Sequence, residues 1–306
     1  MDSTTSTPPK VDVYKIVTDR IIELLEQGTV PWQKPWTEAG VPANLLSKRP
    51  YRGINLWLLL SLNYERNLFL TWDQLKKIGA SVKQGEHGHV VIYWKSTSKK
   101  EDVVDGEKEK KMSLLRYYKV FNVSQCRDLP ENLFESFVTK EHNPILECED
   151  IVTGMPQCPA IKHKEQRAFY HIEEDYINMP KKKSFKSIES YYTTLFHELV
   201  HSTGAEKRLN RKTITEMHEF GSEAYGIEEL VAELGSAYLS SFTGILNVGI
   251  QNSAAYLNGW LAKLKNDKRF MVQASGQAQR AVDYIINQQA PASDGTEEVA
   301  QSVIES

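Results

Sequence analysis

Five residues, His197-Glu198-Leu199-Val200-His201, constrain the fold of this chain more than any other stretch. On a helix, two histidines four apart project from one face and reach one metal ion. Glu198, one residue after the first histidine, can lean over the same ion and take a proton from a metal-bound water. The surroundings agree with a helix over residues 187–200. Ser187 is a cap, residues 190–199 are mostly apolar or aromatic, and Gly204 is placed to end the helix.

A catalytic ion of this kind takes three protein ligands and keeps one position open, so a third ligand is needed. Residues 225–239 predict a second helix, with Ile227, Leu230, Val231, Leu234 and Tyr238 as its apolar stripe. Glu229 and Glu233 form an i, i+4 pair on one face. Glu229 is taken as the ligand and Glu233 as support for a ligand histidine, while Glu228 points about a third of a turn away. Zinc is the default for two histidines and a carboxylate, and manganese suits the same N/O donors.

Two histidines on one helix and a glutamate on the next look like the gluzincin class of zinc metallopeptidases. The wider string is His-Glu-Leu-Val-His-Ser-Thr-Gly, then Arg208-Leu209-Asn210, then Glu228-Glu229-Leu230-Val231-Ala232-Glu233-Leu234. It resembles the C-terminal domain of the ArdC family, antirestriction proteins carried by conjugative plasmids.

Charge divides the chain in two. Residues 1–125 hold 19 Lys and Arg against 14 Asp and Glu, and the rest holds 18 against 26, which together make the net charge of −3. A basic first half and an acidic second half suggest separate jobs, and 306 residues suffice for two domains, each with its own core. No apolar run approaches the roughly 18–20 residues of a membrane span. The first ten residues lack the apolar core of a signal peptide. Cys126, Cys148 and Cys158 cannot all pair and suit a reducing cytoplasm.

In the first half, residues 11–27 read as an amphipathic helix, 56–62 as an apolar helix, 69–72 as a strand, 73–78 as a helix capped by Thr71, and 90–94 and 114–123 as strands. Residues 95–111 read as a charged, mobile hairpin loop. Five of the six tryptophans lie here, several beside Lys or Arg. Cations that follow a phosphate backbone and aromatic faces that stack bases are what single-strand binding requires. Trp57 on an apolar helix is read as core. The candidate DNA contacts are Trp32, Lys34, Trp36, Lys48, Arg49, Tyr51, Arg52, Asn55 and Lys83.

The blocks Pro35-Trp36, Asn44, Tyr51-Arg52-Gly53-Ile54-Asn55, Leu70-Thr71-Trp72-Asp73-Gln74, Val82-Lys83-Gln84-Gly85-Glu86, Tyr93-Trp94 and Tyr118 to Gln125 resemble, in order and spacing, the N-terminal domain of the ArdC family. That domain is associated with single-stranded DNA binding, also in plasmid primase-type proteins. The family form often has a glycine after the serine at Ser47, where this chain has Lys48 and Arg49.

In the second half, residues 168–172 and 175–180 read as a hairpin beside the metal helix, its edge open to strand addition by a substrate. His171 is read as a structural strand residue, and Lys181-Lys182-Lys183 as a solvated turn. Residues 149–155 read as a short helix, after breaks at Leu129-Pro130 and Asn143-Pro144. Residues 206–224 read as a polar loop, in which His218 and, just beyond it, Tyr225 are candidates to stabilise an oxyanion. Further helices are expected at 236–246, 254–265 and 268–289.

The expectation is therefore an α+β chain with a tail (1–10), a mixed α/β single-stranded-DNA-binding domain (11–126), a connector (127–148), a zincin-like domain (149–290) and a second tail (291–306). The resemblance implies a cytoplasmic protein that protects incoming DNA from host restriction. Shielding the DNA and cleaving a restriction-system protein both fit. The alternative is a single-stranded-DNA-binding protein whose metal site is structural. No membrane and no nucleotide cofactor are expected as partners.

Overall fold

A computed structural model describes residues 11–33, 40–103, 106–134, 143–216, 223–245 and 254–288. Helix α1 (Val13–Glu26) opens the described chain. The Asp12 carboxylate accepts from the Lys15 amide at 3.2 Å, satisfying one of the free donors of the first turn. Its buried side, Val17, Ile21, Leu24 and Leu25, packs on the helices at the far end of the chain, α8 (Ala254–Asn266) and α9 (Phe270–Ile285).

The first half builds one sheet in the order β1 (Ala43–Asn44), β2 (Leu68–Thr71), β5 (Gly106–Asn122), β4 (His89–Val103), with β1 parallel to β2 and the other pairs antiparallel. Helix α2 (Ile54–Leu60) packs against β4. Helix α3 (Trp72–Lys77) follows β2 directly, behind a capping box made by Thr71 and Gln74. β3 (Ser81–Val82) pairs with β6 (Cys126–Arg127). The expected loop at 95–111 is instead a continuation of the ribbon. The β4–β5 register runs from His89 opposite Val120 to Val103 opposite Gly106, and sets Lys100 opposite Glu109 and Glu101 opposite Lys108. A two-stranded ladder pairs the backbone groups that face the partner strand and leaves the outer edges to water. It needs no apolar alternation, so the charged run carried no strand signal.

The second half layers helices α4 (Pro144–Gly154), α5 (Ile188–Ser202), α7 (Glu223–Thr243) and α9, with a small sheet of β7 (Ala160–Lys162), β9 (Tyr176–Asn178) and β8 (Phe169–His171) against α5. The expected hairpin is β8–β9; β7, parallel to β9, is too short to have shown a period. Asn143-Pro144, read as a break, is the start of α4: Asn143 caps it, and proline suits a first-turn position that lacks an amide partner. The helices expected at 225–239 and 236–246 are one helix, α7, about 31 Å long at 1.5 Å per residue. A short helix α6 (Lys212–Thr215) interrupts the polar loop.

The two halves do not have separate principal cores. One apolar cluster joins Val17, Ile21, Leu25, Trp32, Leu56 and Trp57 to Leu195, Leu199, Leu234, Tyr238, Phe270 and Val282, and two smaller clusters sit beneath the N-terminal sheet. Trp57 is fully buried with its ring 4.9 Å from Tyr238. Among the described residues no helix is long and apolar enough to cross a membrane.

Candidate metal centre

Helix α5 is capped by Ser187, whose hydroxyl accepts from the Ser190 amide, and it buries Tyr191, Leu195, Phe196 and Leu199. The same helix carries His197, Glu198 and His201. It ends at Ser202, where Gly204 is pressed against Ile214: a Cβ at 204 would lie 2.5 Å from the Ile214 side chain. Helix α7 crosses close by because Gly235 faces Val200 without a side chain.

That approach brings together the three ligands expected from the sequence. The ligating atoms of His197, His201 and Glu229 all lie within 4.8 Å of one another. Nε2 of His197 is 3.1 Å from Nε2 of His201, and the Glu229 carboxylate stands 3.6 and 3.7 Å from those two nitrogens. Donors about 2.0–2.1 Å from a tetrahedral ion stand about 3.3–3.4 Å apart, so the spacing and the N/N/O donor set fit a divalent metal. Electrostatics agree. Burial alone would depress His197, but Glu229, Glu233 and Glu198 more than offset it and raise its pKa to about 9. The carboxylates around His197 therefore favour a cation in the pocket.

Glu198 is buried beside His197. Glu233 is buried too, and burial raises its pKa. Its carboxylate stands 3.8 Å from His197 Nδ1, near but beyond a hydrogen bond. Glu228 corrects the sequence reading. It is not one of the three clustered ligands, yet its carboxylate lies 3.2 Å from Nδ1 of His201 and is bound by Arg211 and Thr213. A partner 17 residues away in a polar loop leaves no periodic signal.

The expected DNA contacts fare differently. Trp32 is 1% exposed and edge-on to Trp260 at 5.6 Å, so neither face is open to a base. Tyr51 is buried edge-on to Phe69. Asn55 is buried and bonds both the amide and the carbonyl of Ile92 at 2.7 Å, acting as a strand partner for β4. Arg52 binds Asp283 of α9, while the Gly53 amide donates to Gln279 and the Gly53 carbonyl accepts from the Tyr238 hydroxyl. Gly53 has φ of +56°, a conformation that favours glycine. Arg52 and Gly53 thus dock the first half on the second, while Tyr51 and Asn55 brace the N-terminal sheet. Lys48, Arg49 and Lys83 are exposed; Lys48 and Lys83 reach backbone carbonyls of Leu133 and Ser124. Trp72 (49% exposed, with the Lys76 ammonium 5.9 Å from its ring centroid), Trp94 (50%) and Tyr117 are exposed aromatics not singled out from the sequence. Lys34, Trp36, His218 and both expected tails lie outside the described residues; Tyr225 falls on α7.

Family models match both halves: the N-terminal domain of anti-restriction factor ArdC over residues 11–123, and a zincin-like metallopeptidase over residues 154–277. The metal-free crystal structure of the antirestriction ArdC protein from plasmid R388 aligns with a TM-score of 0.74 at 34% identity, covering 92% of this chain and all of that one. The chain belongs to the ArdC family.

The Mn(II)-bound structure of the R388 ArdC protein aligns almost as well, with a TM-score of 0.73 at 34% identity over 90% of this chain and 98% of that one. An uncharacterized Sinorhizobium fredii protein, y4eC, is 30% identical over 95% of this chain and 96% of its own length. Two Escherichia coli DNA primases named TraC are 32% and 33% identical over 91% and 90% of this chain, but the match spans only 20% and 27% of their own lengths. The family assignment gives this chain an ArdC-type N-terminal domain and a zincin-like C-terminal domain, and the His197–His201–Glu229 cluster lies in the latter.

Proposed function

We propose that this chain is a plasmid-type antirestriction protein that grips single-stranded DNA with its first half and hydrolyses a peptide bond with its second. The observation that carries the enzymatic reading is the assembly of three ligand atoms at ion spacing, His197 buried and His201 and Glu229 partly exposed, with the buried Glu198 on the same helix. His197, His201 and Glu229 would hold zinc or manganese. Such an ion supplies a Lewis-acid site and a water acidified towards a pKa of about 7. Glu198 holds the proton released from the attacking water and passes it to the leaving nitrogen. Edge strand β8, beside α5, offers backbone groups to an extended substrate.

The R388 ArdC protein has solved metal-free and Mn(II)-bound structures, and this chain aligns with both nearly equally. That supports an ion serving chemistry over one holding the fold. For DNA, the exposed cations Lys48, Arg49 and Lys83 and the exposed rings of Trp72 and Trp94 support strand binding by charge and stacking. The deciding experiment is metal content by plasma mass spectrometry after loading with zinc or manganese. About one ion per chain, lost in Glu229→Ala, is expected from the three-ligand site; a native chain without metal would remove the enzymatic reading and leave DNA binding.

A further inference from the structure

We propose that Glu228 and Arg211 form a buried pair that orients His201 as a ligand. The proposal rests on the metal reading of the site. A carboxylate only accepts, so the 3.2 Å approach of Glu228 to His201 Nδ1 requires the proton to be on Nδ1. In the neutral ring the lone pair is then on Nε2, the nitrogen that faces His197 and Glu229. Glu228 is buried, and a carboxylate there needs a cation and further donors to be tolerated. Arg211, also buried, supplies them: Nη2 donates to Oε1 at 2.5 Å and Nε to Oε2 at 3.0 Å, and the Thr213 hydroxyl adds a third bond at 2.5 Å.

The same guanidinium holds the end of α5. It donates to the Thr203 hydroxyl at 2.5 Å and to the Val200 carbonyl at 2.8 Å. Arg211 therefore joins the turn of α5 around His201 to the residue just before Glu229, and so sets the distance between the two candidate ligands. The first histidine is held differently. Nδ1 of His197 is buried with no hydrogen-bond partner among the described residues, and Glu233 stands back at 3.8 Å. One histidine is locked before an ion arrives, and the other is left for the ion to settle.

Two measurements on the full chain test this. Zinc or manganese affinity, by competition with a chelator, is expected to fall about 10–100-fold in Glu228→Gln, with an unchanged circular dichroism spectrum. Arg211→Lys, which keeps the charge and loses the fork, should fall in the same direction. Independently of any metal, two-dimensional NMR of the ¹⁵N-histidine-labelled, metal-free chain should show His201 as the single Nδ1–H tautomer, and a mixture in Glu228→Gln. Native affinity in both variants together with an unchanged His201 tautomer would overturn the proposal. If the native chain binds neither metal, the metal reading fails, and the tautomer still decides whether Glu228 orients the ring.

Discussion

Gly235 on α7 lies against Val200 on α5 so closely that an added Cβ would meet the Val200 Cγ2 at 2.6 Å. The missing side chain lets the two ligand-bearing helices meet. Gly235→Ala should destabilise the chain by about 1–3 kcal/mol through overpacking and weaken metal binding as the helices part. Denaturant unfolding measures the first effect. Val200→Ala added to Gly235→Ala should restore part of both, and a double variant no better than the single would break the link to this contact.

Glu198→Gln should keep the metal and lose about 10²–10⁴-fold of any hydrolytic rate. Metal content and turnover on the same preparation separate the two. An unchanged rate would take Glu198 out of the chemistry.

Strand binding should depend on the exposed aromatic rings. Trp72→Ala and Trp94→Ala are each expected to weaken binding of a fluorescent oligonucleotide by about 1–3 kcal/mol with the fold intact. Trp32→Ala should instead cost about 3–5 kcal/mol of stability, because its ring is core. A weakened oligonucleotide complex in a fully stable Trp32→Ala protein would reverse the assignment.

Salt dependence distinguishes the cations. Replacing an exposed phosphate contact among Lys48, Arg49 and Lys83 should lower the slope of log K against log salt by about 0.7 for single strands. Arg52→Ala should leave that slope unchanged and destabilise the fold by about 3–5 kcal/mol, since it strands the buried carboxylate of Asp283.

Acid should loosen the β8–β9 hairpin from the loop after the metal helix. Burial would raise the Asp175 carboxyl, but Arg208, Lys207 and the Tyr170 hydroxyl hold it well below the usual carboxylate range. Its folded value is the lower one, so its stabilisation is complete above the unfolded value of about 3.9. It fades as pH falls towards the folded value. Asp175→Asn should flatten the acid limb of a pH–stability curve, and an identical limb in the variant would exclude this ion pair as its cause.

The candidate ligand cluster was legible because both helices that carry it announce themselves by period. His197 and His201 share a face by spacing alone, and Glu229 sits on a helix with a clean apolar stripe. What surrounds them was not, because contacts such as Arg211 with Glu228 join a loop to a helix and obey no period. The tryptophans show a second limit. Trp57 on an apolar helix could be placed in the core, but Trp32 in a proline-bounded loop and Trp72 at a helix start look alike in sequence. Tertiary packing alone buries one and opens the other. The Tyr51–Asn55 block misled for a related reason: polar and basic residues that bind a neighbouring domain have the same composition as residues that bind a phosphate backbone.

The shared core has a consequence for how such a gene can change. A break between residues 123 and 154 would leave Ile21, Trp32 and Trp57 on one piece without Tyr238, Phe270 and Val282 on the other, and each piece would be a substrate for cellular proteases. The two halves are then inherited or lost together, as a single cassette. The TraC primases fit this: 20% of one and 27% of the other correspond to about nine-tenths of this chain, both halves in one block.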